Sequence, residues 1–107
     1  MRYRIISLAV LAWAFAAIPT HAGQHVVGQK GNTFSRTELT IQPNEEVLFT
    51  NDDDVVHNVF SATAGMTFNL KAQPPGDSSG IIFAHEGTAE VRCVFHPTMK
   101  LKLTVKK

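Results

Sequence analysis

The densest chemistry in the chain lies in Cys93-Val94-Phe95-His96-Pro97-Thr98-Met99, where a thiol, an imidazole and a thioether follow one another at three-residue spacing. On a straight strand, residues three apart point to opposite faces and lie about 10 Å apart, so a strand would scatter these donors. Pro97 biases His96 toward an extended backbone and argues against a helix. The segment therefore reads as a loop between a strand ending at Cys93 and another beginning near Lys100. Such a loop can curl three side chains around one point. A thiolate, an imidazole and a thioether are soft or borderline donors. Zinc sites rarely use a thioether, whereas two histidines, one cysteine and a weak axial methionine make a copper site suited to electron transfer.

That donor set lacks a second histidine. His57 is the best candidate, because it follows a turn and heads a β-like run. His85 sits in the turn-like Ala84-His85-Glu86-Gly87 and reads as an exposed loop histidine. His25 lies near the start of the first strand, and His21 lies upstream of it. Taken singly, Cys93, His57 and Met99 each also fit a plain core role. Together, on these spacings, they point to one metal.

The elements that must position these residues begin after a leader. Met1-Arg2-Tyr3-Arg4 is basic, Ile5 to Ile18 is apolar apart from Ser7, and Pro19-Thr20-His21-Ala22 ends on small residues. This is the pattern of a secretory signal peptide. The apolar run has 14 residues, short of the roughly 20 that span a bilayer. An uncleaved anchor is the competing reading. The expected division is a signal peptide over 1–22 and one domain over 23–107, with a periplasmic or secreted location. Removing Arg2 and Arg4 takes the formal charge from +1 to −1, which gives no electrostatic case for nucleic acid as a partner. Outside the cytoplasm a lone cysteine such as Cys93 is either buried and inert or occupied.

The remainder reads as β. Short runs at Gln24–Gln29, Glu38–Ile41, Val47–Thr50, Val55–Ser61, Ile81–Phe83, Thr88–Cys93 and Leu101–Val105 are separated by turn residues. Ala62–Leu70 is ambiguous, and Gln73–Gly80 reads as a loop. Asp52-Asp53-Asp54 reads as a solvated turn that could steer a basic partner. Lys100, Lys102, Lys106 and Lys107 read as a charged edge strand. The spacing predicts an all-β, single-domain sandwich.

Three pieces of the chain resemble the cupredoxins, the small blue copper proteins of the plastocyanin and azurin group. They are Ile41-Gln42-Pro43-Asn44-Glu45-Glu46-Val47-Leu48-Phe49-Thr50-Asn51, then Val56-His57-Asn58-Val59, then Phe83 through Gly87 to Cys93-x-x-His96-x-x-Met99. The short ligand loop is most similar to that of amicyanin. The resemblance implies a Greek-key β-sandwich and one copper ion, cycling between Cu(I) and Cu(II). It implies His57, Cys93 and His96 as equatorial ligands and Met99 as the axial one. Asn58 matches a residue that braces the ligand loop and helps its backbone donate to the cysteine sulfur. Asn44 stands where the family usually has a turn glycine.

The implied function is a periplasmic one-electron carrier and not an enzyme. Its expected partners are transient redox proteins, such as a c-type cytochrome or a periplasmic dehydrogenase or oxidase. The mature chain is expected to be a monomer with no membrane span. His96 is the expected exit for the electron, with Pro97 and Met66 or Phe68 as an apolar docking patch. The alternatives are a copper chaperone or storage module on the same fold, and a binding domain with structural zinc. Separately, a mature start at Gly23-Gln24-His25 offers an amine, two amides and an imidazole for a second, square-planar Cu(II) site.

Overall fold

Period-two alternation of apolar and polar residues builds two sheets that bury their apolar faces against each other. In the computed structural model, which describes residues 23–107, the order is β1 (Gln24–Lys30), β2 (Thr33–Phe34), β3 (Glu38–Ile41), β4 (Glu45–Asn51), β5 (Val59–Ser61), β6 (Phe68–Asn69), β7 (Ser78–Phe83), β8 (Gly87–Cys93) and β9 (Lys100–Val105). The expected signal peptide over 1–22 lies outside the described residues. One sheet has the order β2-β1-β4-β7 and the other β3-β9-β8-β5-β6. Strands β1 and β4 pair in parallel, as do β3 and β9, and the other pairs are antiparallel. The described residues contain no helix, so the expected all-β sandwich is the fold.

The alternation sets the core and aims the cysteine. In β8, Ala89, Val91 and Cys93 are buried while Glu90 faces solvent. In β9, Leu101, Leu103 and Val105 point inward between exposed Lys100 and Lys102. From the opposite sheet, Val27, Val47 and Phe49 close the core, and Phe49 stacks on Phe68 at a centroid distance of 5.9 Å. Cys93 is thus the last inward residue of β8, directly opposite Val59 of β5.

Two turns use left-handed residues. Gly31 (φ 61°) and Asn32 (φ 56°) join β1 to β2, the two-residue hairpin geometry that needs positive φ at both positions. Between β3 and β4, the Glu45 amide donates to the Gln42 carbonyl. Pro43 occupies the second position of that turn and Asn44 (φ 71°) the third, where asparagine substitutes for glycine.

Several expectations are corrected. Lys100, Lys102, Lys106 and Lys107 do not mark an edge, because β9 lies between β3 and β8; Lys100 and Lys102 face solvent from this interior strand, and Lys106 and Lys107 follow its end. Strand β5 begins at Val59 rather than Val55, because the Asn51–Asn58 segment folds on its own side-chain hydrogen bonds. Ser78–Gly80 belong to β7, paired with Leu48–Thr50, rather than to a loop. Met66 is buried and the half-buried Phe68 packs against the core, whereas the apolar side chains exposed on the His96 loop are Val94, Phe95 and Pro97.

Candidate metal centre

The centre assembles where β8 ends and the segment before β5 crosses it. Pro97 occupies the second position of a β-turn, His96–Met99, closed by the Met99 amide donating to the His96 carbonyl at 2.9 Å. This turn brings the chain back into β9 and buries Met99. Arg92 braces the loop from outside, its Nη2 donating to the Pro97 carbonyl at 2.8 Å.

His57 arrives from the other side. It lies in an isolated bridge to Gln73, its amide donating to the Gln73 carbonyl at 3.1 Å and its carbonyl accepting from the Gln73 amide at 2.7 Å. Gln73 is buried and bonded in turn to Gln29 and to the Phe49 carbonyl. Asn51, also buried, donates to the carbonyls of Val55 and Gln73 and so closes the loop that presents His57.

The structure brings His57, Cys93 and His96 together, with one ligand atom from each lying within 4.8 Å of the others. Cys93 Sγ is 3.6 Å from His57 Nδ1 and 3.7 Å from His96 Nδ1. An ion about 2.0 Å from nitrogen and about 2.3 Å from sulfur sets those donors roughly 3.5–3.7 Å apart at tetrahedral to trigonal angles. The observed separations therefore fit one ion held among the three. The two imidazole rings meet edge to face, with centroids 4.9 Å apart. His57 is 0% exposed and Cys93 2%, whereas His96 is half-buried and reaches the surface.

Outer contacts complete the centre. The Asn58 amide donates to Cys93 Sγ at 3.3 Å, and the Asn58 carbonyl accepts from the Val94 amide at 3.0 Å. Asn58 therefore braces the ligand loop through its backbone. Its side chain turns away and donates to Asn69 Oδ1 at 2.7 Å. Asp53, which the sequence placed in a solvated turn, is turned inward. Its Oδ2 lies 3.0 Å from His57 Nε2, and that bond, with the Asn32 amide next, holds its carboxyl far below the usual carboxylate range. The only sequence signal for this was an aspartate four residues before a candidate ligand.

The other histidines among the described residues lie elsewhere. His85 is exposed in the turn before β8. His25 is in β1, its backbone paired with β4 and its Nε2 3.1 Å from Glu45 Oε1. Parallel pairing sets His25 beside Val47, at the start of β4, whereas the centre forms beyond the other end of that strand.

No protein-family model and no curated protein sequence matches the chain. Solved structures do. A novel purple cupredoxin from Nitrosopumilus maritimus is 30% identical, over 76% of this chain and 98% of that one, with a TM-score of 0.68. The amicyanin of Paracoccus versutus is 26% identical, over 85% and 87% of the two chains, with a TM-score of 0.72. A copper-containing nitrite reductase from Thermus scotoductus SA-01 shares the fold at 24% identity and a TM-score of 0.71, matched over 77% of this chain and 22% of its own length.

Proposed function

The chain belongs to the cupredoxin family, and from that premise we propose that it is a periplasmic one-electron carrier built around one copper ion held by His57, Cys93, His96 and Met99. The observation that carries this reading is the convergence of a buried thiol and two imidazoles, with sulfur–nitrogen separations of 3.6 and 3.7 Å. Bound copper supplies the redox chemistry, cycling between Cu(I) and Cu(II). The protein supplies the rest. His57 and Cys93 are walled off from water, and the Asn58 N–H aimed at the sulfur favours a thiolate. Met99, buried at the end of the turn, would add a weak thioether donor to this set.

His96 is the route for the electron, since it is the donor that reaches the surface. Around it the loop exposes Val94 (50%), Phe95 (53%) and Pro97. The neighbouring His57 loop adds exposed Val55 and Val56. A small apolar face suits the brief encounters of a carrier with a c-type cytochrome or a periplasmic dehydrogenase or oxidase. Only the His96 edge of the donor set meets solvent while His57 and Cys93 stay enclosed, an arrangement that suits a carrier better than an enzyme. Residues 1–22 act as the export signal, and mass spectrometry of the exported protein should find a mature start at Gly23. A second copper site at Gly23-Gln24-His25 would have to lift the start of β1 from β4 and draw His25 from Glu45.

Titration of the purified 23–107 protein with Cu(II) tests the reading. One equivalent should bind with an intense thiolate-to-copper absorption and reverse through a one-electron couple. A pale complex that hands copper to a chelator would favour the chaperone or storage module, and preference for zinc with no redox couple would favour a structural site.

A further inference from the structure

Resting on the copper reading of this centre, we propose that Asp53 is the positioning residue for His57: its carboxylate holds the Nε2–H of the ring, which keeps the Nδ1 lone pair aimed at the metal position.

The geometry assigns the proton. A carboxylate only accepts hydrogen bonds, so at 3.0 Å from Asp53 Oδ2 the Nε2 atom of His57 must be the donor. In the neutral ring Nδ1 is then the nitrogen with the lone pair, and it is the one that lies 3.6 Å from Cys93 Sγ. The ring is fully buried, so a flipped ring would turn a carbon toward the carboxylate, and the other tautomer would set an unprotonated Nε2 against an acceptor.

Asp53 is itself fixed. Its Oδ2 also accepts from the Asn32 amide at 3.1 Å, its Oδ1 accepts from the Asp54 amide at 3.1 Å, and its own amide donates to Asn51 Oδ1 at 3.0 Å. The β1–β2 hairpin turn is thereby tied to the ligand through one side chain that is only 11% exposed. Of three consecutive aspartates, only Asp53 is placed this way. Asp52 accepts from the Thr50 hydroxyl at 3.0 Å, and Asp54 faces solvent. The neighbours are therefore internal controls of the same charge. Carboxylate partners of this kind orient a ligating imidazole and raise its basicity, and their loss costs about 10–100-fold in metal affinity. A negative charge at this position also favours the more positive oxidation state of the ion.

The first test needs no metal. In metal-free protein, at a pH where the ring is neutral, ¹⁵N NMR of the His57 ring should show one tautomer, with the proton on Nε2. Asp53→Ala should mix the tautomers. It should also weaken Cu(II) binding at least tenfold, while Asp52→Asn and Asp54→Asn stay within twofold of the parent. Asp53→Asn keeps an acceptor for the backbone amides and covers the case in which Asp53→Ala does not fold. It should weaken Cu(II) binding more than Cu(I) binding and so raise the potential. A proton on Nδ1 or a tautomer mixture in the parent protein overturns the proposal, as does an Asp53→Asn variant indistinguishable from Asp54→Asn. A single Nε2–H tautomer in a protein that binds no copper would sink the carrier reading and leave the role of Asp53 standing.

Discussion

Cys93 is the single cysteine of the chain, so no other side chain can supply the centre with a thiolate. Cys93→Ser removes the sulfur and little volume. The variant should fold and show no thiolate-to-copper band, and an intense visible band surviving the change would refute the ligand assignment. Met99 is a different case. A thioether in the axial position is a weak donor, and Met→Leu is nearly volume-conserving in a core, costing less than about 1.5 kcal/mol. Met99→Leu should keep its copper and shift to a higher potential by voltammetry. Complete loss of copper would mean that the thioether is a principal ligand, as a chaperone would use it.

At the scale of elements, the turns and caps carry more than their length suggests. Asn44 holds φ at 71° between β3 and β4, a region that costs a residue with Cβ about 1–2 kcal/mol and that asparagine tolerates better than most. Asn44→Val should destabilise the protein by roughly that amount, read as a lower urea midpoint with an unchanged copper spectrum. The same turn is tied by Glu45, whose carboxylate accepts from the Gln42 amide at 2.6 Å and meets His25 at 3.1 Å. The Gln42 amide first, and then His25, pull the Glu45 carboxyl below its usual range. A carboxyl depressed in the folded state stabilises the fold above its unfolded pKa, near 4.3, and loses that contribution as pH falls through the folded value. Urea midpoints of the metal-free protein should therefore drop on acidification below about pH 5. The drop should be smaller in Glu45→Gln, and an identical pH profile in the two proteins would exclude this linkage.

For the molecule as a whole, the core is made of protein groups. Buried side chains from both sheets, from Val27 and Phe49 to Leu101 and Leu103, form one cluster, and the polar frame of Gln29, Asn51 and Gln73 holds His57 by bonds among protein groups. The metal-free protein should accordingly be folded and melt cooperatively. Copper should raise its melting temperature through linkage, by about 2.7 kcal/mol of stability at a free concentration a hundredfold above Kd. A metal-free chain without cooperative unfolding would show that the ion completes the core.

Much of this protein is determined by local sequence. The inward set Ala89, Val91 and Cys93, and that of Leu101, Leu103 and Val105, follow from a side-chain period of two that needs no partner to be read. Pro97 between a histidine and a methionine predicts a turn because its ring fixes φ. The convergence of Cys93 and His96 with a histidine far upstream was an expectation on donor chemistry and family likeness, and the folded chain sets those atoms within 4.8 Å. Other features were decided only by tertiary structure. The lysines of β9 looked like an edge because charge pattern is the same on any solvent face; the parallel pairing with β3 makes the strand interior. Met66 and Phe68 looked available for docking because hydrophobicity does not report which side of a short segment meets the core. Asp53 could not be told from Asp52 and Asp54, since three identical residues in a turn differ only in where the backbone points them. The direction that turns Asp53 toward His57 comes from the Asn51 side chain, the Gln73 bridge and the Gly31-Asn32 turn, which lie 20 and more residues away from it in either direction or close the loop beside it.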